Sequence, residues 1–231
     1  MSLKIYKILS KKIRKTILEL SFRAKSAHLA SCLSSADIVT VIFQSFFKRN
    51  KNKFILSKGH AAMLLYSALY HKKIISKKMI NSFCKVNSHF EEHPSPKIEC
   101  VDFPTGSLGH GLAAGCGLAL GYKLRKSNQK VFVLISDGEC AEGSIWESLK
   151  FIYENSVNNI EVYVCVNGFA AYDSVDTKYL TDRLKCFLPN IQIRYTKVNE
   201  FSFLNGLNAH YHIMSEGDYK SALEELNEKE I

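Results

Sequence analysis

Residues 131–147 read VFVLISDGECAEGSIWE, and residues 160–168 read IEVYVCVNG. Each stretch opens on a short apolar run and stops at a polar residue just before a glycine. Val131–Ile135 and Ile160–Val166 are short, continuous and rich in β-branched residues, which favours strands over helices. Runs of this kind suit strands whose sheet is covered on both faces. Ser144–Glu154, between them, reads as a helix. Strand, helix and strand in that order predict a parallel sheet flanked by helices, an α/β fold.

In open α/β sheets, ligands gather beyond the C-terminal ends of the strands. The first strand ends in Ser136-Asp137-Gly138-Glu139 and the second in Asn167-Gly168. If the strands are neighbours, Asp137 and Asn167 come side by side. A carboxylate and an amide oxygen are hard ligands suited to Mg²⁺ or Ca²⁺, and a diphosphate could supply further oxygens. An isolated Asp-Gly is more often a polar turn, and Asn-Gly is a favoured turn in its own right.

Upstream, Thr105-Gly106-Ser107-Leu108-Gly109-His110-Gly111 opens the apolar helix Gly111–Leu124. Its glycines let backbone approach a ligand closely, and a helix start offers unpaired N–H groups to an anion. It lacks the Gly-Lys-Ser/Thr ending of a nucleotide-binding P-loop, and no convincing strand leads into it as a dinucleotide fingerprint requires. His28, His60, His93 and His110 each sit beside small residues or a turn. A lone histidine is more often structural, yet histidine can donate to phosphate or carry protons near neutral pH. No Gly-x-Ser-x-Gly elbow is present, and no Cys/His nucleophile pair is apparent locally.

The rest of the chain reads as helices at 3–25, Asp37–Phe47 (capped by Ser34 or Ser35), His60–Tyr70, and one capped by Ser76 and running through Val86. A short strand is expected at Phe54–Leu56. Asn87–Gly111 is irregular, and an irregular stretch that long in a compact domain is usually functional or flexible. Helices follow at Asp176–Phe187 and Gly217–Glu228, with a strand at Gln192–Thr196. The 231 residues are 46% apolar and 23% charged, which excludes a disordered or fibrous chain and predicts one domain over 1–231. Lys+Arg outnumber Asp+Glu by 31 to 22, densest at Lys4–Lys15 and Lys48–Lys53, but only six are arginines. Nucleic-acid readers more often carry Arg-rich stripes with aromatics, so no nucleic acid is expected; anionic small ligands or an acidic partner suit the charge. Seven cysteines without CxxC spacing point to no zinc or redox site and to a reducing, cytoplasmic setting. No signal peptide and no membrane span of about 18 apolar residues are expected.

Taken together, four blocks resemble the N-terminal, thiamine-diphosphate-binding half of a transketolase, as found in split transketolase-like proteins. They are Ser57-Lys58-Gly59-His60, Thr105–Gly111, Asp137–Glu147 and Asn167. The resemblance runs from about residue 10 to the C-terminus with one gap. It implies thiamine diphosphate with Mg²⁺ (or Ca²⁺) as cofactors, and Asp137, the Asn167 side chain and the Phe169 carbonyl as metal ligands. It further implies Gly138 at the diphosphate through its backbone, His60 near diphosphate and substrate, and Gly106 and Leu108 lining the cofactor cleft. His28 and His93 resemble substrate-side histidines, His110 joins them as a catalytic candidate, and Glu142 resembles the glutamate of an acidic network at the dimer interface. Ser136, Cys165, Ala170 and Ala27 depart from the family pattern.

The gap lies near 191–199, where the family continues with further α/β structure, so the diphosphate-module fold is expected to be shortened near its C-terminus. His210 or His212 resembles the family's terminal Trp-His region. The implied reaction moves a two-carbon ketol unit between sugars or sugar phosphates. It needs a C-terminal partner subunit carrying the pyrimidine-binding domain, in a dimer of heterodimers, because nothing in this chain resembles that module. The alternatives are a degenerate, non-catalytic binding or scaffold subunit, or a component of another thiamine-diphosphate enzyme.

Overall fold

In the computed structural model, which describes residues 3–171 and 173–228, the long N-terminal helix α1 (Leu3–Ala24) comes first. It is followed by α2 (Leu29–Leu33) and α3 (Ala36–Val41), which runs into a π-helical turn at Ile42–Phe46. Strand β1 (Lys53–Leu56), α4 (Ala62–His71) and α5 (Lys77–Ile80) precede α6 (His110–Leu124). Then β2 (Val131–Ser136), α7 (Gly143–Glu154), β3 (Ile160–Val166), α8 (Thr177–Phe187), β4 (Gln192–Tyr195) and α9 (Glu216–Glu228) complete the order. The described residues form two compact units: 3–45, 60–93 and 197–228 make one, and 46–59 with 94–171 and 173–196 make the other.

The second unit holds the sheet. Its strands are parallel and ordered β1-β2-β3-β4, with Val133 beside Ile55 and Val162, and Tyr163 beside Gln192. All of β2 is buried, as a central strand covered on both faces demands. Leu112, Cys116 and Ala119 of α6, Ile145, Leu149 and Ile152 of α7, and Leu180 and Leu184 of α8 share one core with Val131, Val133, Ile135, Val162 and Val164. Burial of this continuous apolar surface, worth roughly 25 cal/mol per Å², fixes where the polar ends of β2 and β3 emerge. Strand β4 is an edge: Gln192 and Ile193 are half-buried, and Arg194 and Tyr195 are exposed.

The first unit is helical. One face of α1 buries Ile13, Ile17 and Leu20 and packs on α3, α4 and α9. Phe22 stacks flat on Tyr219 of α9, with ring centroids 4.5 Å apart. Arg14 clamps the unit by pairing with Asp37 at 2.8 Å and with Glu200. Burial works against the Asp37 carboxylate, but its bond to Arg14, the Arg14 charge and Ser10 outweigh burial and bring its pKa below the usual range.

Several expectations are corrected. The Asp37–Phe47 helix divides into α3 and the π turn, and its N-cap Ser35 makes no side-chain cap bond. Ser76 does cap α5, accepting the Met79 N–H at 3.2 Å, but the helix ends at Ile80 instead of Val86. There the Ser82 hydroxyl donates to the Met79 carbonyl, and Cys84 adopts a left-handed φ of 53°. Leu29–Phe46 is, by length and composition, apolar enough to cross a membrane, contrary to the sequence reading; it is 72% buried within the protein and broken between α2 and α3.

Candidate functional site

In the sheet unit, the parallel register of β2 and β3 sets Ser136 beside Cys165, so the two polar strand ends emerge together. Asp137 is 2% exposed. One of its oxygens accepts the Gly138 N–H at 3.0 Å, and the other accepts the N–H groups of Asn167 and Gly168, both at 2.7 Å. Burial pushes the Asp137 carboxyl above its ordinary value; the Gly168 amide, the charge of Lys58 and the Asn167 and Gly138 amides hold it down. The Asn167 side-chain oxygen accepts the Phe169 N–H at 3.0 Å, which curls the loop and brings Phe169 into the same turn. Gly138 lies against Ala170, whose Cα would be 2.9 Å from an added β-carbon. Cys165, just ahead of Asn167, is buried with its thiol 3.3 Å from the Thr196 hydroxyl.

The glycine-rich segment packs on the end of β1. An added β-carbon at Gly59 would sit 2.4 Å from the Thr105 carbonyl carbon, so only glycine allows the two backbones to meet. Gly106 and Leu108 are half-buried beside this junction, and His110 is exposed at the first turn of α6. The Thr105 hydroxyl is buried without a hydrogen-bond partner, the condition expected of a polar group that a ligand completes.

Two buried charges went unassigned in the sequence. Lys58 is 1% exposed and Glu139 is not exposed at all. Burial pushes the Glu139 carboxyl up, while Ser57, Gly109, Ser136 and the Lys58 charge pull it down. Their only signal was position: Lys58 follows β1 closely and Glu139 follows Asp137 by two.

In the helical unit, His28 and His60 are brought together, with ring centroids 5.1 Å apart, and His210 joins them at 4.7 and 5.4 Å. His28 has a left-handed φ of 64°, which histidine tolerates better than most residues. Its N–H donates to the His210 carbonyl at 3.1 Å, and its Nδ1 is buried without a partner. Burial lowers the His28 pKa, opposed by the Glu92 charge and reinforced by His93. His93 is exposed, and its carbonyl, with that of Glu91, accepts the buried Tyr66 hydroxyl. His212 stands apart on Asp218, at 3.1 Å. The structure therefore assembles His28 and His60 with His210, which sequence reasoning left open against His212, and leaves His110 in the sheet unit.

Among the described residues no three His, Cys, Asp or Glu side chains form a metal-binding group. The strand ends instead offer one carboxylate, one amide oxygen and one carbonyl, a donor set whose chemistry fits Mg²⁺ or Ca²⁺ held jointly with a ligand's oxygens, and not zinc. Glu142 is exposed ahead of α7.

Residues 6–188 match the family described as transketolase, thiamine diphosphate binding domain. Transketolase-like protein 2 of Bos taurus is 38% identical over 166 residues, covering 68% of this chain and 26% of that protein. A Phocaeicola vulgatus protein, named as one of the subunits of an apulose-4-phosphate transketolase, is 31% identical over 156 residues, covering 64% of this chain and 56% of that protein. The crystal structure of transketolase from Campylobacter jejuni superposes with a TM-score of 0.85 at 21% identity, over 98% of this chain and 43% of that one. The chain thus spans about a quarter of the first of these relatives and about half of the second.

Proposed function

This chain belongs to the transketolase family through its thiamine diphosphate binding domain, and on that premise we propose that it is the diphosphate-binding subunit of a two-carbon ketol transferase. The observation that supports this reading most is the Asp137 carboxylate, buried at the end of β2 and gathered by the amides of the adjoining β3 end. Asp137, the Asn167 side chain and the Phe169 carbonyl would hold Mg²⁺ together with diphosphate oxygens. Gly106 and Leu108 would line the cofactor cleft, and Gly138 and His60 would stand near the diphosphate. When bound, thiamine diphosphate supplies a thiazolium carbanion that adds to a carbonyl and then serves as an electron sink. The chain's own residues bind and orient, which is where proximity contributes to rate. His28, His93 and His110 would meet sugar hydroxyls or a sugar phosphate and move protons, with burial lowering the pKa of His28.

The pyrimidine-binding module would come from a C-terminal partner subunit in a dimer of heterodimers. The Phocaeicola vulgatus relative, which bears the name of a single subunit and is about half spanned by this chain, supports a divided enzyme. Seven cysteines, none in a disulfide among the described residues, fit a reducing, cytoplasmic setting. Ketose cleavage is to be assayed with the chain alone and again with a candidate pyrimidine-domain protein. Turnover is expected only from the pair, and turnover by the chain alone overturns the divided-enzyme reading.

A further inference from the structure

The carboxylate of Glu139 is fully buried, yet it belongs to neither the donor set at Asp137 nor the apolar core. Its contacts reach three separate stretches of sequence. One oxygen accepts the Ser57 hydroxyl, just past the end of β1, and the Gly109 N–H at 2.7 Å, at the N-cap of α6. The other oxygen accepts the Ser136 N–H at 3.4 Å, at the end of β2, and the Glu139 N–H in turn donates to the Ser136 hydroxyl at 3.3 Å. Gly109 itself is held at a φ of 83°.

We infer that Glu139 is a positioning residue: it ties the glycine-rich segment Thr105–Gly111 to the ends of β1 and β2, and so sets Gly106 and Leu108 in place relative to Asp137. The inference rests on the proposed cofactor site for its consequence, but its geometry stands apart from it. A carboxylate accepts more strongly than a neutral oxygen and has lone pairs enough for all three donors. A glutamine here cannot satisfy them all, because its NH₂ would face either Ser136 N–H or the Ser57 and Gly109 pair. The fixed segment is the one whose Thr105 hydroxyl is buried without a partner, so an error in its placement would be felt by whatever ligand completes that hydroxyl.

The test compares wild type, Glu139→Gln (E139Q) and Ser57→Ala (S57A) in the full chain. The first readout is amide hydrogen exchange without cofactor. In E139Q the Gly109–Leu112 amides should exchange at least about tenfold faster, while Val162–Val166 stay unchanged. S57A, which removes one donor and leaves the carboxylate, should show a smaller change in the same segment and serves if E139Q does not fold. Unchanged exchange at Gly109, or a uniform rise across the sheet, overturns the positioning role. The second readout, with the candidate pyrimidine-domain subunit present, is the Kd of thiamine diphosphate with Mg²⁺, which should rise at least about tenfold in E139Q; an unchanged Kd also overturns it. If wild type itself fails to bind, the cofactor reading fails, and the exchange result still decides whether Glu139 holds the segment.

Discussion

Gly109→Ala (G109A) isolates the geometry at the start of α6. The residue sits at φ 83°, where an L side chain costs about 1–2 kcal/mol. The added β-carbon would lie 2.2 Å from the Ser144 hydroxyl oxygen and 3.0 Å from the Glu142 β-carbon. Overpacking of this kind costs typically about 1–3 kcal/mol, so the whole loss should be about 2–5 kcal/mol. The two parts separate, because only one depends on Ser144. In G109A/S144A the closest clash is gone and about 1–2 kcal/mol should return, while the backbone cost persists. Urea unfolding of wild type, both single variants and the double variant gives the coupling directly. A G109A protein as stable as wild type would refute the left-handed cap. Full recovery in the double variant would show that only the Ser144 contact mattered.

Tyr66→Phe removes the hydroxyl that donates to the Glu91 and His93 carbonyls at 3.0 and 3.2 Å. It should cost about 1–3 kcal/mol in unfolding experiments and raise hydrogen exchange around His93; a neutral effect would mean the loop is held elsewhere. Burial lowers the pKa of His71, against a bond to the Lys12 backbone and with the Lys12 charge. As pH falls below the unfolded value of about 6.5, the unfolded chain takes up the proton first, so stability falls through that window. His71→Gln should flatten the stability difference between pH 7.5 and 5.5 (about one unit on each side of that value), and an unchanged difference would exclude His71 as a contributor.

The sheet was legible because its strands leave little choice. Ile160–Val166 is found with the boundaries its sequence predicts, and Val131–Ile135 is lengthened only by Ser136. A strand buried on both faces must be apolar throughout, and that is a local signal. The Ser76 cap was equally readable, since a serine that accepts the Met79 N–H needs only neighbours in sequence. The early end of α5 was not readable, because the left-handed Cys84 and its N–H bond to the Phe90 carbonyl belong to the fold of the following loop.

At the strand ends, position alone suggested that Asp137 and Asn167 come side by side, and register brings them together; a ligand role for them came only from the family resemblance, since each pair reads equally well as a turn. Lys58 and Glu139 were not legible, because hydropathy assigns charged residues to the surface. Only the long-range meeting of the β1 end, α6 and the β2 end explains why a glutamate can be buried there. The grouping of His210, and not His212, with His28 likewise depends on a long-range backbone bond, the His28 N–H to the His210 carbonyl.

Whether the strand ends of β2 and β3 hold thiamine diphosphate through a divalent cation, as proposed, is tested most directly by calorimetric titration. Thiamine diphosphate is titrated into the chain assembled with its candidate pyrimidine-domain subunit, with Mg²⁺ and with EDTA in its place, and into the same assembly carrying Asp137→Asn with Mg²⁺. Binding should require Mg²⁺ and weaken at least about tenfold in the variant, since the only carboxylate of the donor set is lost. Equal affinities for wild type and Asp137→Asn, or binding that is indifferent to Mg²⁺, would contradict the account.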